Sequence, residues 1–218
     1  MTPSNNPEAE FLSTIMARTT HELRNVLAIV KESAGLIEDI VRVCRDKGAL
    51  DEEKVQRATG RIDAQVKRGA DLLTNLNRLS HALDRDRDTV DLRQDLEQVV
   101  FLSQRFARKS GQEIAAEEGE GETLTTHPLR LQMILFAAIQ CCLEQFPEGA
   151  RITLRSGSRD GSPVVTFKGE WREGEAAGRL QEAEAWSCMV DLADSLGVEL
   201  EVGPDGTGGQ LVFSERDG

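Results

Sequence analysis

The sequence predicts an α+β protein, a long antiparallel helical hairpin that forms a dimeric four-helix bundle, followed by a two-layer α/β sandwich. Three observations lead there. Apolar residues recur at steps of three and four as far as about residue 86. Beyond that point short alternating runs interleave with two or three helical ones. The charge changes at the same place: residues 1–88 carry 14 basic and 15 acidic side chains, and residues 89–218 carry 12 and 23. The polar stretch from Asp84 to Thr89 marks the join, giving a helical domain, 1–88, and a sandwich domain, 89–218.

The first helix has a defined start: Asn6 as N-cap, Pro7 at the first helical position, then Glu8 and Glu10. A seam follows through Leu12, Met16, Thr19, Leu23, Val26, Val30, Ala34, Ile37, Val41 and Cys44. Gly48, after Lys47, is placed to end the helix. Asp51 caps a second helix with Glu52 and Glu53 in its first turn. Its seam runs Val55, Ala58, Ile62, Val66, Gly69, Leu73, Leu76, Leu79 and Leu83. At ~1.5 Å per residue each helix is about 50–60 Å long. A lone hairpin leaves apolar surface uncovered, and a second hairpin covers it most simply, so the expectation is a homodimer through residues 8–84.

In the second half, Val90-Asp-Leu leads into a helix from about Leu92 to Arg108. Gln112–Ala116 and Glu122–Thr125 read as strands, and Pro128–Phe146 as a strongly apolar helix. Ala150–Ser156 and Pro163–Lys168 form a hairpin. Glu182–Leu196 is a last helix ended by Gly197. Val198–Val202 and Gln210–Ser214 close the chain as a hairpin around the glycine-rich turn 204–209. The order predicts helices on one face of a mixed sheet.

Composition excludes several classes of function. The chain has 218 residues and a formal net charge of -12, which is unfavourable for binding a nucleic-acid phosphate backbone. Tyrosine is absent and aromatics are 4%, too few for a base-stacking platform. No apolar run approaches the ~20 residues needed to span a bilayer, and the polar start of the chain resembles no signal peptide. Cys44, Cys141, Cys142 and Cys188 lack paired C-x-x-C spacing and read as reduced thiols of a cytoplasmic protein, with no metal site.

His21 lies two residues from both Thr19 and Leu23, so it points away from the seam toward solvent. Glu22 adjoins it, Asn25 is one turn on, and Arg18 and Arg24 stand three residues to either side. A neutral imidazole is a nucleophile near pH 7. A neighbouring carboxylate can hold the proton on one ring nitrogen and free the other for attack. The amide can hydrogen-bond the ring or an incoming oxygen, and the arginines can steady a phosphoryl group. An exposed His beside a Glu also arises by chance on many helices.

The string Phe11-Leu-Ser-Thr-Ile-Met-Ala-Arg-Thr-Thr-His-Glu-Leu-Arg-Asn-Val-Leu27 resembles the H-box of bacterial sensor histidine kinases. The resemblance implies that His21 is the phosphoacceptor, Glu22 the general base and Asn25 the polar residue one turn on. Val26 replaces the family's usual proline, which implies a straighter helix. Leu129–Leu143 is similar to the helix that carries two magnesium- and nucleotide-binding asparagines in those kinases, but here the matching positions are Phe136 and Gln140. Where the family has Asp-x-Gly-x-Gly, this chain reads Phe167-Lys-Gly-Glu-Trp-Arg-Glu-Gly174, and the following nucleotide lid is missing. The glycine turn Gly206-Thr-Gly-Gly209 matches the last glycine box, although a plain hairpin loop explains it better.

A histidine hairpin joined to an ATP-binding domain stripped of its ATP boxes resembles the bacterial histidine phosphotransferases derived from kinases. That implies phosphotransfer in a phosphorelay without autokinase activity. His21 would accept and donate a phosphoryl group, with response-regulator receiver domains as partners. The chain would bind no cofactor itself: Mg²⁺ would come with the receiver, and ATP binding is not expected. The alternative is a pseudokinase scaffold that dimerises and binds a receiver or kinase without transfer, and behind it an active sensor kinase.

The remaining candidates have ordinary accounts. His81 suits a helix C-terminus, and His127 flanks the start of a helix at Pro128. Cys141 or Cys142 belongs in a core, as do Trp186 and Met189. Trp171, in a charged loop, is a candidate partner surface.

Overall fold

The computed structural model describes residues 6–48, 50–119, 121–173 and 176–214. The polar start, residues 1–5, and Gly174 lie outside the described residues. The chain divides into two compact units, one of which is Ala9–Leu79 and the other of which runs from Ser80 onward.

The helical unit follows its caps. Helix α1 spans Pro7–Lys47 and α2 spans Glu52–Leu83. Asn6 Oδ1 accepts the Glu8 amide at 3.0 Å, and Asp51 Oδ1 accepts the Lys54 amide at 3.1 Å. Gly48 ends α1 with φ of 74°, a conformation that glycine adopts at no steric cost, and donates its N–H to Cys44 O at 2.7 Å. Opposite Val26, a Cβ at Gly69 would meet Val26 Cγ1 at 3.3 Å, so α2 approaches α1 closely at this level.

Each helix carries two apolar stripes where the sequence reading saw one. In α1 the buried stripe is Phe11, Ile15, Thr19, Glu22, Val26, Ser33 and Ile40. Met16, Leu27 and Val41 are exposed at 52%, 67% and 41%, with Leu23, Val30 and Ile37 half-buried beside them. In α2 Ala58, Gly69, Leu72 and Leu79 are buried, while Val66 and Leu73 stay 58% and 56% exposed. The predicted seam therefore mixed two faces that lie about 100° apart around the helix. One faces the other helix of the same hairpin, and the second is left bare.

The second unit is a mixed sheet with helices packed on it. Its strands are β1 (Asp88–Asp91), β2 (Glu113–Ala116), β3 (Thr123–Thr126), β4 (Arg151–Arg159), β5 (Ser162–Glu170), β6 (Val198–Val202) and β7 (Gly208–Phe213). Helices α3 (Leu92–Lys109), α4 (Pro128–Gln145) and α5 (Trp186–Leu196) complete it. The main sheet runs β2-β4-β5-β7-β6, parallel only between β2 and β4. The predicted α+β class and the layered sandwich hold.

Several boundaries moved for local reasons. β4 and β5 extend to a two-residue turn at Asp160-Gly161, whose φ values of 53° and 83° suit a tight hairpin. β1, which the sequence reading treated only as a lead-in, pairs antiparallel with β3 in a separate two-stranded sheet. Its polar composition hid it. The last helix starts at Trp186 and not at Glu182, because Leu180–Glu182 forms a 3₁₀ turn and Ala183 is extended, with ψ of 145°.

The core lies between α4 and the sheet. Leu131, Ile134, Leu135, Ala138, Ile139, Cys141 and Cys142 of α4 are fully buried, as are Ile152, Leu154, Val165 and Leu211 of the strands. Burial pushes the Cys141 thiol up to about 12, so it is an inert core thiol. His127 caps α4, with Nδ1 accepting the Arg130 amide at 3.4 Å. Met189 is fully buried, as expected of a core anchor, whereas Trp186 is only half-buried.

Candidate functional site

His21 is exposed on α1, on the side turned away from the apolar stripes. Arg24 and Asn25 are exposed as well, and Arg18 is half-buried. At about 100° per residue, Arg18, Arg24 and Asn25 all fall within roughly 60° of His21 around the helix. The helix thus gathers one imidazole, two guanidiniums and an amide on one solvent-facing arc. Two cations flanking an exposed ring can offset the charge of an incoming phosphoryl group.

Glu22 departs from this arc. It is 8% exposed and belongs to the buried stripe between Thr19 and Val26. Its Oε2 lies 2.5 Å from Nη2 of Arg68 on α2. The sequence reading set Glu22 beside His21 as a base, but the structure turns it about 100° away into the hairpin. Sequence reasoning missed Arg68 altogether. The available signal was Glu22 itself, which falls at a seam step three residues after Thr19 and four before Val26. A charged residue at a seam step calls for a partner on the facing helix.

The second unit bears on the nucleotide question. Phe136 packs its ring edge-on against Phe106, with centroids 5.2 Å apart. A phenyl ring can neither ligate a metal nor accept a nucleotide hydrogen bond. Gln140 has a buried Nε2 with no hydrogen-bond partner. After β5, Trp171 stacks against Phe146 with centroids 5.1 Å apart, and Gly169 leaves room for the Phe146 ring. Trp171 is thus half-buried against its own chain.

The segment between Trp171 and Trp186 is tied down at three points. The Gly178 amide donates to Gln145 O at 2.8 Å, the Glu184 amide to Glu144 Oε2 at 2.6 Å, and the Leu180 amide to Gly206 O at 3.0 Å. Leu180 itself is fully buried. Gly208 and Gly209 pair as strand residues with Lys168 and Phe167, so the glycine turn is a hairpin loop. The residues at these positions do not fit a magnesium nucleotide. Leu180→Ala should lower stability by about 2–5 kcal/mol, read as the shift of a denaturant midpoint. An unchanged midpoint would mean that the segment is not part of the core.

Among the described residues no group of three His, Cys, Asp or Glu side chains gathers to hold a metal ion, and no helix is long and apolar enough to cross a membrane.

No family model matches the chain, and no curated protein matches it. Solved structures of histidine kinases are similar to it in fold. AdeS of Acinetobacter baumannii is 14% identical over 90% of this chain and 98% of that one, with a TM-score of 0.48. The cytoplasmic segment of the histidine kinase QseC is 17% identical over 69% and 95%, with a TM-score of 0.45. The catalytic domain of the histidine kinase ThkA is 14% identical over 60% and 98%, with a TM-score of 0.48. At these identities and TM-scores the likeness assigns no chemistry.

Proposed function

We propose that this chain is a dimeric histidine phosphotransfer protein of the two-component type, with His21 as the phosphoryl carrier between receiver aspartates. The observation that supports it most is the solvent-facing arc of His21, Arg18, Arg24 and Asn25 on α1. The transfer balances without a nucleotide. The lone pair of the unprotonated ring nitrogen attacks the phosphorus of a receiver's aspartyl phosphate. The N–P bond forms, the P–O bond breaks, and its electron pair returns to the aspartate as a carboxylate. The ring keeps the proton on its other nitrogen. Arg18 and Arg24 offset the phosphoryl charge, and Asn25 hydrogen-bonds the ring or a phosphoryl oxygen. Mg²⁺ arrives with the receiver's acidic pocket.

In this reading the second unit is an adaptor and not a kinase, supported by Phe136 and by the anchored segment around Leu180. The bare stripe of Met16, Leu27, Val41, Val66 and Leu73 supports pairing with a second copy. The test incubates the protein with labelled ATP and Mg²⁺, and separately with a panel of phosphorylated receiver domains and Mg²⁺. Label from a receiver and none from ATP is the expected result. Label from ATP alone would restore the kinase. No label from any receiver would favour a scaffold that binds without transfer.

A further inference from the structure

The Glu22–Arg68 pair lies about 100° around the helix from His21, and its geometry is unlike that of a proton acceptor serving the ring. Glu22 is 8% exposed, its Oε2 is 2.5 Å from Arg68 Nη2, and its position on α1 is in the seam. One turn beyond Glu22 on α1, Val26 faces Gly69, the residue next to Arg68, where α2 comes close. A side chain at Gly69 would meet Val26 at 3.3 Å, so the close approach and the ion pair are parts of one contact. Both lie inside the Ala9–Leu79 unit.

We propose that Glu22 and Arg68 are positioning residues: the pair pins α1 to α2 at the level of His21 and fixes where the imidazole stands, and Glu22 does not take a proton from the ring. The inference rests on the phosphotransfer reading above. It follows from the chemistry of the step as well as from the geometry. A neutral imidazole attacks with a lone pair and keeps its other proton, so forming the N–P bond requires no base. What the step does require is an imidazole held within reach of the phosphorus, and small displacements there are expensive in rate. A buried carboxylate with a guanidinium partner supplies such a hold: without Arg68, whose side chain is 37% exposed, Glu22 is left as an unpaired charge in the seam.

The two roles for Glu22 differ in what Arg68 does. If the pair positions, Glu22→Gln and Arg68→Gln slow single-turnover transfer by similar factors, about 3–10-fold each. The double variant is then no slower than either single one, because both remove the same interaction. The loss should appear in the transfer rate at saturating phosphorylated receiver, with half-saturation unchanged. If Glu22 were the base, Glu22→Gln would slow transfer by about 100-fold or more and Arg68→Gln would leave it intact. That pattern overturns the proposal, and so does a double variant whose losses multiply.

Thermal melting of the same four proteins gives a readout independent of transfer. Non-additive shifts for Glu22→Gln and Arg68→Gln confirm the pair, and additive shifts contradict it. Each rate is taken below the melting midpoint of the least stable variant, so that unfolding does not imitate a loss of transfer. Glu22→Asp and Arg68→Lys keep the charges and should recover part of both readouts, even if a glutamine variant folds poorly. His21→Ala separates the two claims. If it still takes label, the phosphotransfer reading fails, while the melting cycle still decides whether Glu22 and Arg68 act as a pair.

Discussion

His21→Ala abolishes phosphoryl uptake from every receiver that labels the wild type. The expected loss is complete and not graded, because alanine offers no nitrogen for the N–P bond. The arginines and Asn25 orient and neutralise charge but cannot carry the group. His21 faces solvent and makes up no part of the buried stripes, so the substitution should leave fold and assembly in place. Circular dichroism and sedimentation of the variant confirm this. Residual label on His21→Ala would send the search to His81, which is exposed in the last turn of α2, or to His127, which caps α4. Arg24→Ala, by contrast, should reduce uptake only in part, since one of two flanking cations remains.

Leu27→Glu combined with Leu73→Glu is expected to turn the proposed dimer into a monomer. The two leucines are 67% and 56% exposed in a single hairpin, and they sit on bare stripes of different helices. Met16, Val41 and Val66 lie on the same stripes, exposed at 52%, 41% and 58%. Such a row is unfavourable in water at roughly 25 cal/mol per Å² of apolar surface, and a second hairpin removes it. Two carboxylates facing their symmetry mates would oppose that closure in both copies. Sedimentation or light scattering should give about twice 24.0 kDa for the wild type and 24.0 kDa for the double variant. A wild type that runs at 24.0 kDa at micromolar concentration would contradict the four-helix bundle, and the bare stripes would then need a different partner.

Much of this was legible in the sequence. Asn6, Gly48 and Asp51 bracket the two helices because caps are local chemistry, readable from a few residues. The apolar runs of α4 and of the hairpin strands declare burial in the same way. What was not legible depends on partners distant in sequence. The seam of α1 could not be split into two stripes until α2 was placed, since Met16 and Ile15 are equally apolar and only packing separates them. Glu22 looked like part of the His21 arc because adjacency in sequence was taken for adjacency in space. Forty-six residues separate it from the arginine that holds it. Residues 182–185 read as the start of the last helix because the bonds that hold this stretch apart from it are not local: the Leu180 amide donates to the Gly206 carbonyl and the Glu184 amide to the Glu144 carboxylate.

The proposed role of His21 is to carry a phosphoryl group that it takes from one receiver and gives to another. The most direct measurement charges the protein with a phosphorylated receiver, removes that receiver, and maps the label by mass spectrometry under neutral or alkaline conditions, where N–P bonds survive. The charged protein is then mixed with a second receiver and Mg²⁺. The expected result is a phosphoryl group on the peptide containing His21 that leaves when the second receiver is added and appears there. A phosphoryl group on any other residue, or one on His21 that no receiver in the panel can remove, would rule out His21 as the carrier.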